Sequence, residues 1–324
     1  MRVYLTQPIA EQALARLRAA AEVEMNPDPL HMVTRDELLV GVRRADVLFC
    51  LLHDRVDAAV LEANPSLRLV ASMAIIPANI DVAAATSRRI PVTVIPPLVT
   101  EATADLTMAL ILAVARRVVE ADRLLRSGVF PGAQSAYLVG AAVHGQVLGI
   151  VGCGAIGAAV ARRAGGFGMR VVYTKRHRLS PAEERTLGVT FASLDDLLAQ
   201  SDFVSVHAAH TPQTHHLIGE RELRRMKPQA CLINTSRGPL VDEAALIRAL
   251  REGWIAGAGL DVYEQEPRVS PGLLELPNAV LTPHIGSAER VTREAIAGVV
   301  VDNILAFARG DRPPNVVNPE VWER

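Results

Sequence analysis

The 324-residue sequence is poor in lysine and cysteine and has no long apolar run. Only Lys175 and Lys227 are lysines among 34 basic residues, the rest being arginine. Such a skew reads as coding bias, so an arginine at any one position carries less meaning than usual. Three cysteines, Cys50, Cys153 and Cys231, stand far apart in apolar stretches. That spacing argues against a disulfide framework and for a reducing compartment. The longest apolar stretch, around Leu106–Ala115, is too short to span a bilayer. The chain opens into a strand-like segment, Arg2–Thr6, without the basic-then-apolar layout of a secretory signal, and a cytoplasmic protein is expected. A dominant charge is missing too: 34 basic and 35 acidic residues leave a net charge of −1. Neither nucleic acid nor an anionic membrane is therefore expected as a partner.

Half of the residues are apolar, and the length suits two domains at roughly 100–200 residues each. Short apolar runs alternate with amphipathic helical patterns almost from end to end, which predicts an α/β fold with parallel sheets. Early strands are expected at Val3–Thr6, Val47–Leu51, Leu69–Met73 and Val92–Val94. One long helix is expected from about Glu101 to Ser127, N-capped by Thr100 and stopped at Gly128. A second alternating series follows, with strands at Val147–Val151, Arg170–Thr174, Phe203–His207, Cys231–Asn234, Ala256–Asp261 and Ala279–Leu281.

Gly152-Cys153-Gly154-Ala155-Ile156-Gly157 is a G-x-G-x-x-G. Alone the pattern is weak, but here it follows an apolar strand and opens an apolar helix, as a dinucleotide site requires. Gly152 permits the tight turn, Gly154 lets backbone approach a pyrophosphate, and Gly157 lets helix and strand pack closely. The helix N-terminus, with Ala155 and Ile156 in its first turn, would carry the pyrophosphate. The next strand ends in Thr174-Lys175-Arg176-His177-Arg178, where an NAD site normally offers a carboxylate to the ribose 2′-hydroxyl. Lys175 and Arg176 instead favour a 2′-phosphate, so NADP(H) is expected over NAD(H), which stays possible.

Ligands of open α/β sheets bind beyond the carboxyl ends of the strands, and three polar clusters fall at such ends. They are Asn234–Gly238, Asp261–Glu266 and Thr282–Gly286. Reducing a 2-oxo acid needs a guanidinium for the carboxylate, an acid of near-neutral pKa for the new alkoxide, and a carboxylate to keep that acid charged. Arg237, His284 and Glu266 supply that set. Each has a bland reading alone; three at successive strand ends point to chemistry.

The sequence resembles the D-isomer-specific 2-hydroxyacid dehydrogenases, and the glyoxylate/hydroxypyruvate reductase branch in particular. The likeness spans essentially the whole chain and rests on LVTEATADL, VLGIVGCGAIG, INTSRGPLVDEAAL, AGLDVYEQEP and LTPHIGSA. It implies two Rossmann-like doubly wound parallel-sheet domains, the cofactor domain (100–287) inserted in a split substrate domain (1–99 and 288–324). It also implies Arg237, Glu266 and His284 as the catalytic set, with Asp261 near the nicotinamide carboxamide. Thr100, His207 and Thr235 would join the cofactor site, and His207 with Thr211 would line its cleft. A homodimer and a cleft that closes on substrate are further implications.

The chain departs from the family at the loop usually like VGYDNID, which offers backbone N–H groups to the substrate carboxylate. Here it reads Ile75-Ile76-Pro77-Ala78-Asn79-Ile80-Asp81, with Ile76 in place of the glycine. A β-branched residue there disfavours positive φ, so a reshaped, drier pocket is one expectation and preserved carboxylate contacts the other. Val94-Ile95-Pro96-Pro97 likewise replaces the usual NTPG. Ile75 stands where phosphite dehydrogenase, which shares scattered features, carries a lysine, and this argues against phosphite as substrate. The expected reaction is NAD(P)H-dependent reduction of a small 2-oxo acid. A bulkier 2-oxo acid, or a dinucleotide-sensing corepressor-like protein, is the alternative. His207, His210, His215 and His216 cluster in sequence without a fixed ligand face, so no metal is expected.

Overall fold

A computed structural model describes residues 1–322 of the chain. The chain divides into two compact units, one of Met1–Leu98 with the segment from Ala288 onward, the other of Val99–Ser287.

The first unit is built on five parallel strands: β1 (Arg2–Leu5), β2 (Glu22–Met25), β3 (Val47–Cys50), β4 (Leu69–Ser72) and β5 (Val92–Thr93). They lie in the order β2-β1-β3-β4-β5. Central strands β3 and β4 are buried along their whole length, as apolar runs covered on both faces should be. Edge strand β2, Glu-Val-Glu-Met, alternates exposed and half-buried residues. Its two glutamates leave no apolar run to betray it. Helices α1 (Glu11–Arg18), α2 (Arg35–Val42), α3 (Ala58–Glu62) and α4 (Val82–Ser87) connect these strands. Thr34 starts α2 through a capping box with Glu37, two orphan donors being satisfied reciprocally.

The second unit carries seven parallel strands: β6 (Val147–Val151), β7 (Arg170–Thr174), β8 (Val189–Phe191), β9 (Phe203–Val206), β10 (Cys231–Asn234), β11 (Gly257–Leu260) and β12 (Ala279–Leu281). Their order is β12-β11-β10-β9-β6-β7-β8, so the chain reverses direction of travel between β6 and β9. Helices α5 (Thr100–Ala115), α6 (Val118–Arg126), α7 (Ala155–Gly166), α8 (Pro181–Leu187), α9 (Leu194–Gln200), α10 (Glu220–Arg225), α11 (Glu243–Arg251) and α12 (Pro271–Leu274) accompany this sheet. Two apolar clusters flank it. One packs Leu197, Leu232 and Leu246 together, the other Ile111, Ile150 and Tyr173. A final helix, α13 (Arg290–Ala308), returns to the first unit, where it packs on α1 and β4.

The two doubly wound parallel sheets match the expected fold class. The expected long helix does not: it breaks after Ala115, and Arg117 takes a left-handed backbone with φ of 52°. Neither proline nor glycine marks the break. The Ala115 carbonyl is taken by the Ala141 N–H at 2.8 Å, and Arg117 is held by a bidentate pair with Glu120 at 2.7 and 2.8 Å. Thr100 is the first helical residue of α5 rather than its cap, which is Val99.

Candidate active site

At the β6–α7 turn the glycines do three different jobs. Gly152 has a φ of 98°, and a Cβ there would stand 2.5 Å from the Ala208 backbone nitrogen. A Cβ on Gly157 would stand 2.5 Å from the Gly152 carbonyl oxygen, so helix and turn pack more closely than alanine permits. A Cβ on Gly154 would meet nothing within 4 Å. No neighbour demands glycine at 154; the open space beside it suits the close approach of a ligand. No side chain caps α7, which leaves the N–H groups of Ala155 and Ile156 presented at the sheet's reversal point. These features fit a pyrophosphate.

The basic cluster after β7 is partly spent. Lys175 Nζ donates to the Cys153 carbonyl at 3.0 Å, across the glycine turn. Arg178 is consumed by a bidentate pair with Glu184 at 2.8 and 2.9 Å, which holds that carboxyl down at about 2. Arg176 and His177 are exposed, and no carboxylate occupies Thr174–Arg178.

Of the other expected cofactor residues, Thr235 is buried and its hydroxyl meets that of Thr107 on α5 at 2.8 Å. His207 follows β9 and pairs through Nε2 with Ser205 Oγ at 2.8 Å. Its Nδ1 is buried without a partner, and burial pushes its pKa down to about 4. It is thus a neutral imidazole near pH 7 with one nitrogen unsatisfied, a state that invites a polar ligand atom.

Three loops at the carboxyl ends of β10, β11 and β12 build the polar centre. After β10, Asn234 forms a local turn: Oδ1 accepts the Ser236 N–H at 3.0 Å, and Nδ2 donates to the Arg237 carbonyl at 3.0 Å. This turn exposes the Arg237 guanidinium, of which Nη1 donates to the Ser236 carbonyl at 2.7 Å. Gly238 is pressed against the next loop, since a Cβ there would overlap the Tyr263 carbonyl. That loop carries Glu266, whose Oε1 accepts the Tyr263 N–H at 3.0 Å and whose Oε2 meets His284 Nδ1 at 2.7 Å.

Burial pushes the Glu266 carboxyl up. The hydrogen bond and charge of His284, the Tyr263 N–H and the nearby Arg237 outweigh it and hold the group below the ordinary range. His284 itself sits in the left-handed region at φ of 54°, costing about 1–2 kcal/mol for a residue with a Cβ. Asp261 enforces that turn. Its carbonyl accepts the His284 N–H at 2.9 Å, and its carboxylate accepts the next two N–H groups, Ile285 and Gly286, each at 2.8 Å. Thr282 Oγ1 adds a 2.6 Å bond to the same carboxylate. Burial nonetheless raises the Asp261 pKa over these contacts. With Nδ1 committed to Glu266, His284 is left with Nε2 as its free nitrogen.

Of the expected residues, the structure brings together Arg237, Glu266, His284 and Asp261, and gathers Gly152, Gly154, Ala155, Ile156, Gly157 and Lys175 at the β6–α7 turn. Ile75 and Ile76 belong to the first unit, after β4. Ile76 takes no left-handed conformation and exposes 60% of its surface. The loop is pinned by Asn79, whose Nδ2 donates to the Leu51 and Asp54 carbonyls at 2.9 and 2.7 Å. Sequence reasoning misses Gly238, Tyr263 and Glu264 as supports of the site. The adjacency of Gly238 to Arg237 is the available signal.

A family model described as "D-isomer specific 2-hydroxyacid dehydrogenase, NAD binding domain" matches residues 108–286. The chain belongs to the D-isomer-specific 2-hydroxyacid dehydrogenases. This dehydrogenase is 48% identical to the glyoxylate reductase of Thermococcus litoralis, over 99% of this chain and 97% of that protein. It is 50% identical to the glyoxylate reductase of Korarchaeum cryptofilum, over 99% and 96%. A crystal structure of a Thermus thermophilus protein superposes with a TM-score of 0.90 at 46% identity, covering 98% of this chain and 100% of that one. An NADPH-dependent glyoxylate/hydroxypyruvate reductase from Sinorhizobium meliloti superposes at 0.78 and 32% identity, with 98% of each chain covered. The dehydrogenase is an NAD(P)-dependent oxidoreductase with a nicotinamide dinucleotide as cofactor. No described helix is long and apolar enough to cross a membrane.

Proposed function

We propose that this dehydrogenase reduces a small 2-oxo acid, of the glyoxylate or hydroxypyruvate type, to the D-2-hydroxy acid. The observation that carries the mechanism is the 2.7 Å pair of His284 Nδ1 with Glu266, beside an exposed Arg237. Relatives named glyoxylate reductase, matched along the whole chain, support the substrate class.

Gly152, Gly154 and Gly157, with the N–H groups of Ala155 and Ile156, would hold the pyrophosphate; Thr100, His207, Thr235 and Asp261 would border the rest of the dinucleotide. The bound cofactor supplies the hydride. Arg237 keeps four of its five N–H donors beyond the one on Ser236 and grips carboxylate and carbonyl oxygen together. The protonated Nε2 of His284 donates to the alkoxide oxygen that forms at C2. Glu266 keeps that imidazole charged until then and fixes its ring. Lys175 and Arg176, without a competing carboxylate, favour NADPH over NADH.

A homodimer also fits. Helix α6 buries no residue, and Val118, Leu125, Val129, Phe130 and Val139 on or after it are exposed, an apolar face that a second copy would cover. Location in the cytoplasm agrees with the three buried free cysteines.

The reading is tested by following NADPH and NADH oxidation against 2-oxo acids from glyoxylate to phenylpyruvate. Turnover of the small acids with NADPH supports it. Turnover of bulky acids alone would reassign the substrate to a larger 2-oxo acid. Silence across the panel with NADPH still bound would overturn it in favour of a sensor.

A further inference from the structure

Beyond Arg237, Glu266 and His284, one cluster of side chains among the described residues has the chemistry to hold a metal ion. His215 and His216 end the loop after β9, and Glu264 lies on the loop after β11, 48 residues on from His216. One ligand atom from each of these three lies within 4.8 Å of the others. His216 Nε2 is 2.9 Å from Glu264 Oε1, and the two imidazoles stack at 4.0 Å between centroids, 20° from parallel. His210 stands behind, its ring 5.8 Å from that of His215.

The cluster is supported from behind as ligands must be. Glu264 Oε2 accepts the Glu243 N–H at 3.2 Å, while the Glu264 N–H donates to Glu243 Oε2 at 3.0 Å. One carboxylate oxygen is therefore committed to the scaffold and Oε1 is turned to His216. The His216 N–H is held by the Pro239 carbonyl at 2.8 Å, and its backbone stands in the left-handed region at φ of 52°. His215 is exposed, and His216 and Glu264 retain 35% and 25% of their side-chain exposure, so an ion can enter.

We propose that His215, His216 and Glu264 bind a borderline divalent ion such as Zn2+, stapling the loop after β9 to the loop after β11. Ligand atoms around such an ion stand about 3.4 Å apart, given bond lengths near 2.1 Å and tetrahedral angles. On binding, the 2.9 Å His216–Glu264 hydrogen bond opens by about 0.5 Å and the His215 ligand atom, within 4.8 Å of both, completes the set. Two imidazole nitrogens and one carboxylate favour Zn2+, Ni2+ or Co2+ over Mg2+ or Ca2+, which take oxygen. Water completes the fourth position. Glu264 stands two residues before Glu266, so the ion would brace the loop that carries the catalytic carboxylate.

The test is titration of the metal-free full-length protein with ZnCl2 by calorimetry, with Co2+ added in parallel as a visible-band probe. Wild type is expected to take up one equivalent and to melt at a higher temperature with it. His215→Ala, an exposed substitution outside the polar centre, should lose about tenfold or more in affinity together with the Co2+ bands. Glu264→Gln should do the same, while His144→Ala, beside the α7–β7 turn, should leave both unchanged. Absence of saturable uptake by wild type, or uptake undiminished in His215→Ala, would overturn the proposal.

Discussion

Replacing Glu266 by Gln tests how the acid is kept charged. The side chain keeps its length, and its oxygen can still accept the Tyr263 N–H now received at 3.0 Å. The change falls on the 2.7 Å contact to His284 Nδ1, where an amide N–H would replace a carboxylate oxygen. His284 Nδ1 must then accept rather than donate, and the charge that stabilises the imidazolium is gone. Both side chains are below a third exposed, 28% and 29%, so solvent screening does not erase the contact. A hydrogen bond to a charged group is worth about 1.5–3 kcal/mol, which corresponds to about 10–100-fold in rate if it is lost in the transition state. Reduction requires an N–H on the imidazole to give up its proton, and the variant loses the carboxylate that supports that donation. At neutral pH kcat/KM should fall by about 10–100-fold, with kcat and KM followed separately. NADPH affinity, measured by fluorescence titration, should not change. A kcat/KM in Glu266→Gln equal to that of wild type would refute the assignment of Glu266 as the group on which proton donation by His284 depends.

Three further outcomes follow from the same geometry. Lys175→Ala with Arg176→Ala should raise the NADPH KM by about 2–20-fold, the loss of one half-buried and one exposed cation, leave NADH within about twofold, and fade as salt is added. Gly238→Ala should force the Tyr263–Glu264 backbone away from the new Cβ; thermal melting should show a loss of about 2–4 kcal/mol, with turnover falling further than stability explains. Asp261→Asn has one acceptor oxygen for three donors, so the His284 turn loosens and kcat should fall about tenfold. The raised pKa of Asp261 means its burial favours the folded state most below the unfolded carboxyl pKa and least above the folded one. Denaturation followed from about pH 3 to 7 should therefore show Asp261→Asn losing a component of stability that in wild type declines as pH rises.

The sheets are legible because parallel strands covered on both faces must be apolar throughout, as in Val47–Cys50 and Val147–Val151. Strand β2 is not, since an edge position lets Glu22 and Glu24 face solvent. The break after Ala115 is equally hidden: it depends on a carbonyl captured by Ala141, far along the chain, and not on a local helix breaker. At the candidate site, Arg237, Glu266 and His284 stand out by residue type at successive strand ends. What supports them does not, because Gly238 against Tyr263 and Asp261 beneath Ile285 are contacts between loops that sequence spacing cannot bring together. Glu264 is hidden for the same reason, being distant from His216 in sequence.

The measurement that bears most directly on the central claim is single-turnover reduction of glyoxylate by NADPH in wild type and in His284→Gln. Wild type should reduce glyoxylate to glycolate, and the variant should be slower by a factor of about 100 or more while binding NADPH equally well. Equal rates in the two proteins, or a wild type that binds NADPH and leaves glyoxylate untouched, would contradict the account.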